Sequence, residues 1–376
     1  MRILAIETSC DETAAAVVEG RRVLSHAIYS QILIHKKWGG VVPSLAKRAH
    51  EERIDMVIDE ALLRSRISTH NFLTPLEPPR DVRRPRAIRE AQSRKKLASS
   101  ILTSIDFVAV TYGPGLAIAL EVGISKAKEL ARKHNKKLIA VNHMEGHIYA
   151  NFAQNSKDKP KRELKFPSLV LLVSGGHTEL VLWKGELEFE ILGETVDDAA
   201  GEALDKAAKL LGLGYPGGPV IEQLANQVSF VDIYKFPRPM IGSKDLNFSF
   251  SGLKTSFYYF LKKKSQSEVN KNIKELASSF QEAVFDSLLT KLEKAMRETG
   301  VTRVVVGGGV ISNQRLRALL RSLAKKHKGE VIFPPQKYLC TDNAAMIGVA
   351  ASFKAKHGIF VKNFDKLDRI PRLRLG

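Results

Sequence analysis

The chain has 376 residues, 44% of them hydrophobic and 26% charged, and a formal net charge of +19 at pH 7. This length suffices for two or three domains, the composition excludes a disordered chain, and no apolar run approaches the roughly 18–20 residues of a membrane span. No membrane partner is expected, and Met1-Arg2 leads straight into apolar strand residues with no small-residue cleavage site, which predicts a cytoplasmic protein.

In chain order, residues 3–6 read as a buried strand, 7–13 as a polar turn, and 14–18 and 22–28 as two further strands separated by Gly20. Residues 44–63 place Leu45, Ala49, Ile54, Val57, Ile58, Ala61 and Leu62 on one helical stripe. Between Arg64 and Lys96 ten Lys or Arg face only Glu77, Asp81 and Glu90, with four prolines in the same stretch. Residues 64–100 fit neither period well and are expected to form an inserted basic loop or a weak helix. A strand at 106–111, a Gly-Pro-Gly turn at 113–115, a helix over about 118–134, a strand at 137–141 and a helix opening at His143 follow. A short basic linker spans 156–166.

The pattern then starts again. Residues 168–173 are an apolar strand, 174–178 a tight Ser-Gly-Gly-His-Thr turn, 179–183 a strand, and 187–192 its continuation after Gly185. Helices are expected at 197–211, with Gly212 beyond the end, and at 271–299, with Gly300 at the cap. Tyr215-Pro216-Gly217-Gly218-Pro219 reads as a rigid loop. A strand at 303–306 runs into Gly307-Gly308-Gly309 and a helix from Ser312; a strand at 331–333 and a helix at 342–354 close the series.

One unit, strand then phosphate-sized turn then two strands, therefore occurs twice, the mark of a duplicated domain. The fold class expected is α/β, a duplicated actin/Hsp70-like (ASKHA) two-lobed fold with an inter-lobe cleft. Its domains would be 1–143, an N-terminal lobe with the basic insertion at about 64–100; 144–355, a C-terminal lobe with a helical insertion at about 195–295; and 356–376, a tail returning to the N-terminal lobe.

Several groups carry candidate chemistry, each with a plainer reading beside it. His143 and His147 stand at i and i+4, so on a helix both can face one ion, although such pairs are also ordinary. Met144 occupies the place where a zincin needs Glu, which speaks against a metalloprotease. Asp342 opens a helix and could simply cap it, or complete a His-His-carboxylate set suited to Fe(II) or Zn(II). The Gly runs at 175–176 and 307–309 end core strands, where bare backbone can approach phosphate or ribose, and where tight turns need Gly anyway. Asp198, Glu202 and Asp205 share one helical face, either solvated or aimed at ligand hydroxyls. Asn313 is a base or ribose contact or a helix-cap neighbour. Asp11 and Glu12, in the first polar turn, are candidates for a base or for metal and phosphate ligands. Cys10 and Cys340 are too few for a disulfide framework and read as small buried side chains. The basic surplus admits a polyanionic partner or a merely soluble basic protein.

These pieces together resemble the TsaD family. The shared motifs are Glu-Thr-Ser-Cys-Asp-Glu-Thr at 7–13, Gly-Gly-Val-Val-Pro-x-Leu-Ala at 39–46, His-Met-Glu-Gly-His at 143–147 and Leu-Val-Ser-Gly-Gly-His-Thr at 172–178. Further on come Asp-Asp-Ala-Ala-Gly-Glu-Ala-x-Asp-Lys at 197–206, Tyr-Pro-Gly-Gly-Pro at 215–219 and Phe-Ser-Phe-Ser-Gly-Leu-Lys-Thr at 248–255. Gly-Gly-Gly-Val-x-x-Asn at 307–313 and Cys-Thr-Asp-Asn-x-Ala-Met at 340–346 end the set. The form at 172–178 resembles bacterial or organellar members. Ile118 and Glu121, after the Gly-Pro-Gly-Leu stretch, and the long basic segment 64–100 depart from the family pattern.

The resemblance implies transfer of the threonylcarbamoyl group of L-threonylcarbamoyl-AMP to N6 of adenosine 37 in tRNAs reading ANN codons. It implies one divalent ion, Fe2+ or Zn2+, on His143, His147 and Asp342, with Mg2+ as a further companion of nucleotide. Leu172, Val173, Ser174, Gly175, Gly176, Asp205, Gly218, Glu222 and Asn313 would hold the adenylate, and Asp11 and Glu12 would be catalytic. TsaB and TsaE are the implied protein partners. An ASKHA-type ATPase or small-molecule kinase is the alternative, and would not need the histidine pair. Segment 64–100 is expected either to contact tRNA phosphates or to be a solvated loop.

Overall fold

Two five-stranded sheets built in the same strand order organise the chain. The computed structural model describes residues 1–66 and 85–376, the side chains of 85–91 excepted. In the first sheet β1 (Arg2–Glu7), β2 (Glu12–Glu19) and β3 (Arg22–Ser30) form an antiparallel meander. A single turn, α1 (Ile32–His35), leads to α2 (Pro43–Arg64), which begins on a proline whose missing N–H would have had no helical partner. Of its expected stripe, Ala49, Ile54, Val57, Ile58, Ala61 and Leu62 are buried and Leu45 is half-buried, and the helix packs against β2 and β3.

After α3 (Pro85–Leu102), β4 (Phe107–Gly113), α4 (Ala117–Lys133) and β5 (Lys137–Asn142) alternate, and β1, β4 and β5 run parallel. Val108, Ala109 and Val110 are all buried, as expected for a parallel strand covered on both faces. The helix α5 (His143–Tyr149) leaves β5 without a loop, because Asn142 caps it: its side chain accepts the Met144 N–H at 2.8 Å.

In the second sheet β6 (Ser168–Val173), β7 (Thr178–Gly185) and β8 (Glu188–Glu194) repeat the meander. Helices α6 (Ala200–Leu210), α7 (Gly217–Asn226), α8 (Ser251–Lys262), α9 (Gln266–Lys271) and α10 (Ile273–Thr299) follow. Gly300 ends α10 with φ 69°, a left-handed cap that suits glycine. Then β9 (Arg303–Gly307), α11 (Gln314–Lys326) and β10 (Glu330–Ile332) add the parallel strands beside β6. The last helix, α12 (Ala344–Lys356), packs on β1, β2 and β5.

The orders β3-β2-β1-β4-β5 and β8-β7-β6-β9-β10 are one topology written twice. This is the duplicated α/β actin/Hsp70-like fold. The compact units differ from the expected domains, however. One comprises Met1–His35, Val41–Leu164 and Asp342–Leu375; the other comprises Lys36–Gly40, Lys165–Thr341 and Gly376. The expected boundaries at 143/144 and 355/356 thus fall inside the first unit. The cause is α12, whose residues 344–353 are all buried and which packs along α5; Glu145 on α5 and Lys354 on α12 form an ion pair at 3.0 Å.

Two local expectations also change. Gly217 and Gly218 open α7 rather than sitting in a loop. Within the basic segment, residues 85–102 form α3, which buries Ala98, Ile101 and Leu102, while the part of the expectation concerning 67–84 lies outside the described residues. Arg64 and Arg94 of that segment both pair with Glu60 of α2. The departing Glu121 is accommodated on α4, 3.9 Å from Lys47 and 3.8 Å from Arg369. Among the described residues no helix is long and apolar enough to cross a membrane.

Candidate metal centre

Parallel pairing of β1, β4 and β5 brings their C-terminal ends to one edge, so whatever follows each strand emerges there. After β1 comes the Ser9–Glu12 turn; after β5 comes His143. On α5 His143 and His147 lie one turn apart on the same side, with ring centroids 4.8 Å apart and planes at 86°. Asp342 arrives just before α12, whose N-cap Asn343 accepts the Met346 N–H at 2.9 Å. Gly146 makes room for α12: a Cβ there would stand 2.8 Å from Ile347 Cδ1.

Asp342 Oδ1 lies 3.3 Å from Nε2 of His143 and 3.3 Å from Nε2 of His147. Donor atoms of the three residues all fall within 4.8 Å of one another. Nitrogen and oxygen ligands bind Zn2+ at about 2.0–2.2 Å, so neighbouring ligands of one ion stand about 3.0–3.5 Å apart. His147 has 0% exposure, yet neither ring nitrogen has a hydrogen-bond partner among the described residues. Its 3.3 Å approach to Asp342 is therefore a contact, not a directed hydrogen bond. A buried orphan of this kind costs about 1–3 kcal/mol, and an ion bound through a ring nitrogen would relieve it. The three residues form a group that could hold a metal ion.

Without an ion, charge governs the cluster. Burial depresses the proton affinity of His143, but the Asp342 and Glu7 carboxylates outweigh it and push the imidazole up to about 10. Asp342 is held well below the carboxylate range, burial notwithstanding, chiefly by His143. Burial keeps His147 below the ordinary histidine value. Glu12, half-buried, is raised well above the carboxylate range by burial, then by Asp11 and Asp342. A cation on the three ligands would oppose this shift and draw Glu12 back toward the carboxylate. Cys10 is also raised well above the thiol range by burial and Asp11, so it resists ionisation. Of the expected catalytic pair, Glu12 therefore shares its electrostatic surroundings with Asp342 of the histidine–carboxylate group.

The residues expected to bind the adenylate lie in the second unit. Leu172 and Val173 end β6, buried, with Leu172 paired to Gly307 of β9. Ser174 closes the following turn: its N–H donates to the His177 carbonyl at 2.8 Å and its Oγ accepts the His177 N–H at 3.0 Å. The glycines divide into two kinds. A Cβ at Gly201 would lie 2.5 Å from the Ser174 carbonyl, so packing demands that glycine; a Cβ at Gly175, Gly176, Gly218 or Gly309 would meet nothing within 4 Å. Packing among the described residues gives no reason for the bareness of these four.

Asp205, Glu222 and Asn313 each hold a helix N-terminus. Asp205 Oδ1 accepts the N–H groups of Gly217 and Gly218 at 2.7 and 3.2 Å. Glu222 Oε1 accepts the Gln314 N–H at 2.6 Å; Asn313 Oδ1 accepts the Leu316 N–H at 3.0 Å while its Nδ2 donates to Gln281 Oε1 at 2.9 Å. Asp198 pairs with Lys206 and Lys254, each at 2.8 Å, and Glu202 with Lys206 at 2.7 Å, the plainer reading of that acidic face.

The family model described as TsaD, tRNA N6-adenosine threonylcarbamoyltransferase, matches residues 22–72 and 84–349, a span that includes all three candidate ligands. This chain belongs to the TsaD family. A relative from Kosmotoga olearia carrying the name tRNA N6-adenosine threonylcarbamoyltransferase is 46% identical over 360 residues, covering 96% of this chain and 95% of its own. Another of that name, from Clostridium kluyveri, is 46% identical over 378 residues, covering 100% of this chain and 98% of its own. Full-length HypF in its phosphate- and nucleotide-bound form has a TM-score of 0.53 at 14% identity, covering 95% of this chain and 46% of that one, a likeness of fold alone.

Two residues beside the three candidate ligands lie inside the shared motifs but received no role of their own from the sequence. Glu7 touches His143, and Gly146 admits α12. The available signal for Glu7 was a carboxylate ending an otherwise apolar strand, immediately before the polar turn. For Gly146 the motif at 143–147 named the residue but not its reason, which is set by a helix two hundred residues away in the chain.

Proposed function

We propose that this chain transfers the threonylcarbamoyl group from L-threonylcarbamoyl-AMP to N6 of adenosine 37 in tRNAs reading ANN codons and releases AMP. The convergence of His143, His147 and Asp342 is the observation that supports a metal-dependent form of this reaction. The names of the relatives support threonylcarbamoyl transfer to N6 of a tRNA adenosine and do not favour the kinase alternative. In the reaction the N6–carbamoyl carbon bond forms, the carbon–oxygen bond to the phosphate breaks, AMP departs with that electron pair, and one proton leaves N6.

The adenine amine is a weak nucleophile because its lone pair is shared with the ring, so an activated donor and a stabilised departing charge are required. His143, His147 and Asp342 would hold a divalent ion, Fe2+ or Zn2+, which when bound would supply Lewis acidity at the reacting acyl phosphate. Gly175, Gly176 and Gly218 leave backbone open to a nucleotide, with Leu172, Val173, Ser174, Asp205, Glu222 and Asn313 as the surrounding frame. Asp11 and Glu12 are the carboxylates assigned to the N6 proton. Adenosine 37 lies in a single-stranded loop, so presenting its base costs little. A cytoplasmic location and TsaB and TsaE as partners belong to the same proposal.

The test is incubation with threonine, bicarbonate, ATP, a threonylcarbamoyl-AMP synthase and tRNA, with and without TsaB and TsaE, followed by mass analysis of nucleosides. A threonylcarbamoyl mass increment on adenosine, absent without this chain, is expected. ATP turnover with no modified adenosine under any combination would sink the proposal.

A further inference from the structure

Glu7 ends β1 with 0% exposure, and a carboxylate removed from water needs its oxygens occupied. Both are. Oε1 accepts the Ser9 N–H at 2.5 Å, while Oε2 accepts the Thr111 hydroxyl at 2.6 Å and the His143 Nδ1–H at 3.0 Å. The strand pairing explains the meeting: β1 lies beside β4, which carries Thr111, and β4 lies beside β5, which ends one residue before His143.

An ionised carboxylate only accepts hydrogen bonds, so this contact keeps a proton on Nδ1, and Nε2, the atom turned to Asp342, is the nitrogen that would give up its proton to an ion. The Ser9 hydroxyl, 3.2 Å from the same Nδ1, lies on that side too. Nδ1 and Nε2 are on different edges of the ring, so Glu7 stands behind His143 rather than beside a bound ion. His147 has no such support: both of its ring nitrogens lack a hydrogen-bond partner among the described residues.

We propose that Glu7 is a positioning residue of the metal centre, whose carboxylate fixes the ring orientation and tautomer of His143 so that Nε2 is its ligand atom. The inference rests on the reading that His143, His147 and Asp342 bind an ion. It makes His143 the preorganised ligand and His147 the one ordered by the ion itself. Partners of this kind typically tune metal affinity 10–100-fold.

The test titrates Co(II) into chelator-stripped full-length protein, reading the visible absorption of the bound ion, with Zn(II) affinity measured by competition against a chromophoric chelator. The wild type is expected to bind one ion and His143→Ala to lose it. Glu7→Gln is expected to weaken affinity by about 10–100-fold and to shift the Co(II) spectrum while the metal-free variant stays folded. Affinity within twofold of wild type, with an unchanged spectrum, would show Glu7 to be merely structural and overturn the inference. Should Glu7→Gln fail to fold, Thr111→Val keeps the carboxylate and removes one of its anchors; a loss of about 3- to 10-fold supports the inference and an unchanged affinity overturns it. If the wild type binds no Co(II), or His143→Ala binds it equally well, the ion-binding reading itself falls, and Glu7's role with it.

Discussion

The backbone of Gly308 lies against Val173 so closely that an added Cβ would stand 2.4 Å from the Val173 carbonyl oxygen, at a φ of 96° that side chains disfavour. Gly308→Ala must move one of two core strand ends, and is expected to cost about 2 kcal/mol or more. Gly175→Ala meets open space and should leave stability within about 0.5 kcal/mol of wild type. If the bare turn receives the nucleotide, Gly175→Ala instead raises KM for the donor about tenfold. Denaturation midpoints and donor KM for both variants check this pair; a Gly175→Ala protein with an unaltered KM removes the turn from the donor site.

Asp342→Ala deletes the oxygen shared between the two imidazoles. The expected result is loss of stoichiometric metal and a drop in threonylcarbamoyl transfer of about 100-fold or more. Metal content by mass spectrometry and the nucleoside assay measure both. Full activity in a metal-free Asp342→Ala protein would detach the cluster from catalysis.

Metal uptake should release protons. His143 holds its proton up to about 10 in the metal-free protein, and a ligand nitrogen must surrender it. Proton and metal compete, so affinity rises with pH below that value, by about one decade per unit between pH 7 and 9. Calorimetry in buffers of different ionisation enthalpy counts the protons; a pH-independent Kd contradicts the expectation.

His26 on β3 is buried, and burial, with help from Arg64, lowers it to about 4. The unfolded chain therefore binds a proton that the folded chain refuses between about pH 6.5 and 4. Stability is complete above about 6.5 and declines as pH falls through this window, by at most roughly 3 kcal/mol. Urea denaturation of wild type and His26→Gln at pH 7 and pH 4.5 is the measurement, and equal pH slopes would refute the assignment.

Lys95 and Lys96 on α3 are exposed. If the basic segment meets tRNA phosphates, replacing both by Gln reduces the slope of log affinity against log salt by about one to two. An unchanged slope makes that face a solvated one.

Local patterning was enough to read the meanders, the helical stripe of α2, the glycine stop of α10 and the repeated strand–turn–strand unit. Each depends on residues a few positions apart, and periodic burial leaves a direct trace in the order of side chains. The histidine pair and the carboxylate before the last helix could likewise be named as candidates. Their meeting could not be read, since Asp342 reaches them only because α12 packs back along α5 at Gly146. The same long-range packing decided that the first unit, not the second, owns residues 144–164 and 342–355. Strand adjacency alone brought Glu7 to His143. Which groups share a site is fixed by pairings between distant segments, and those are settled when the core closes around them.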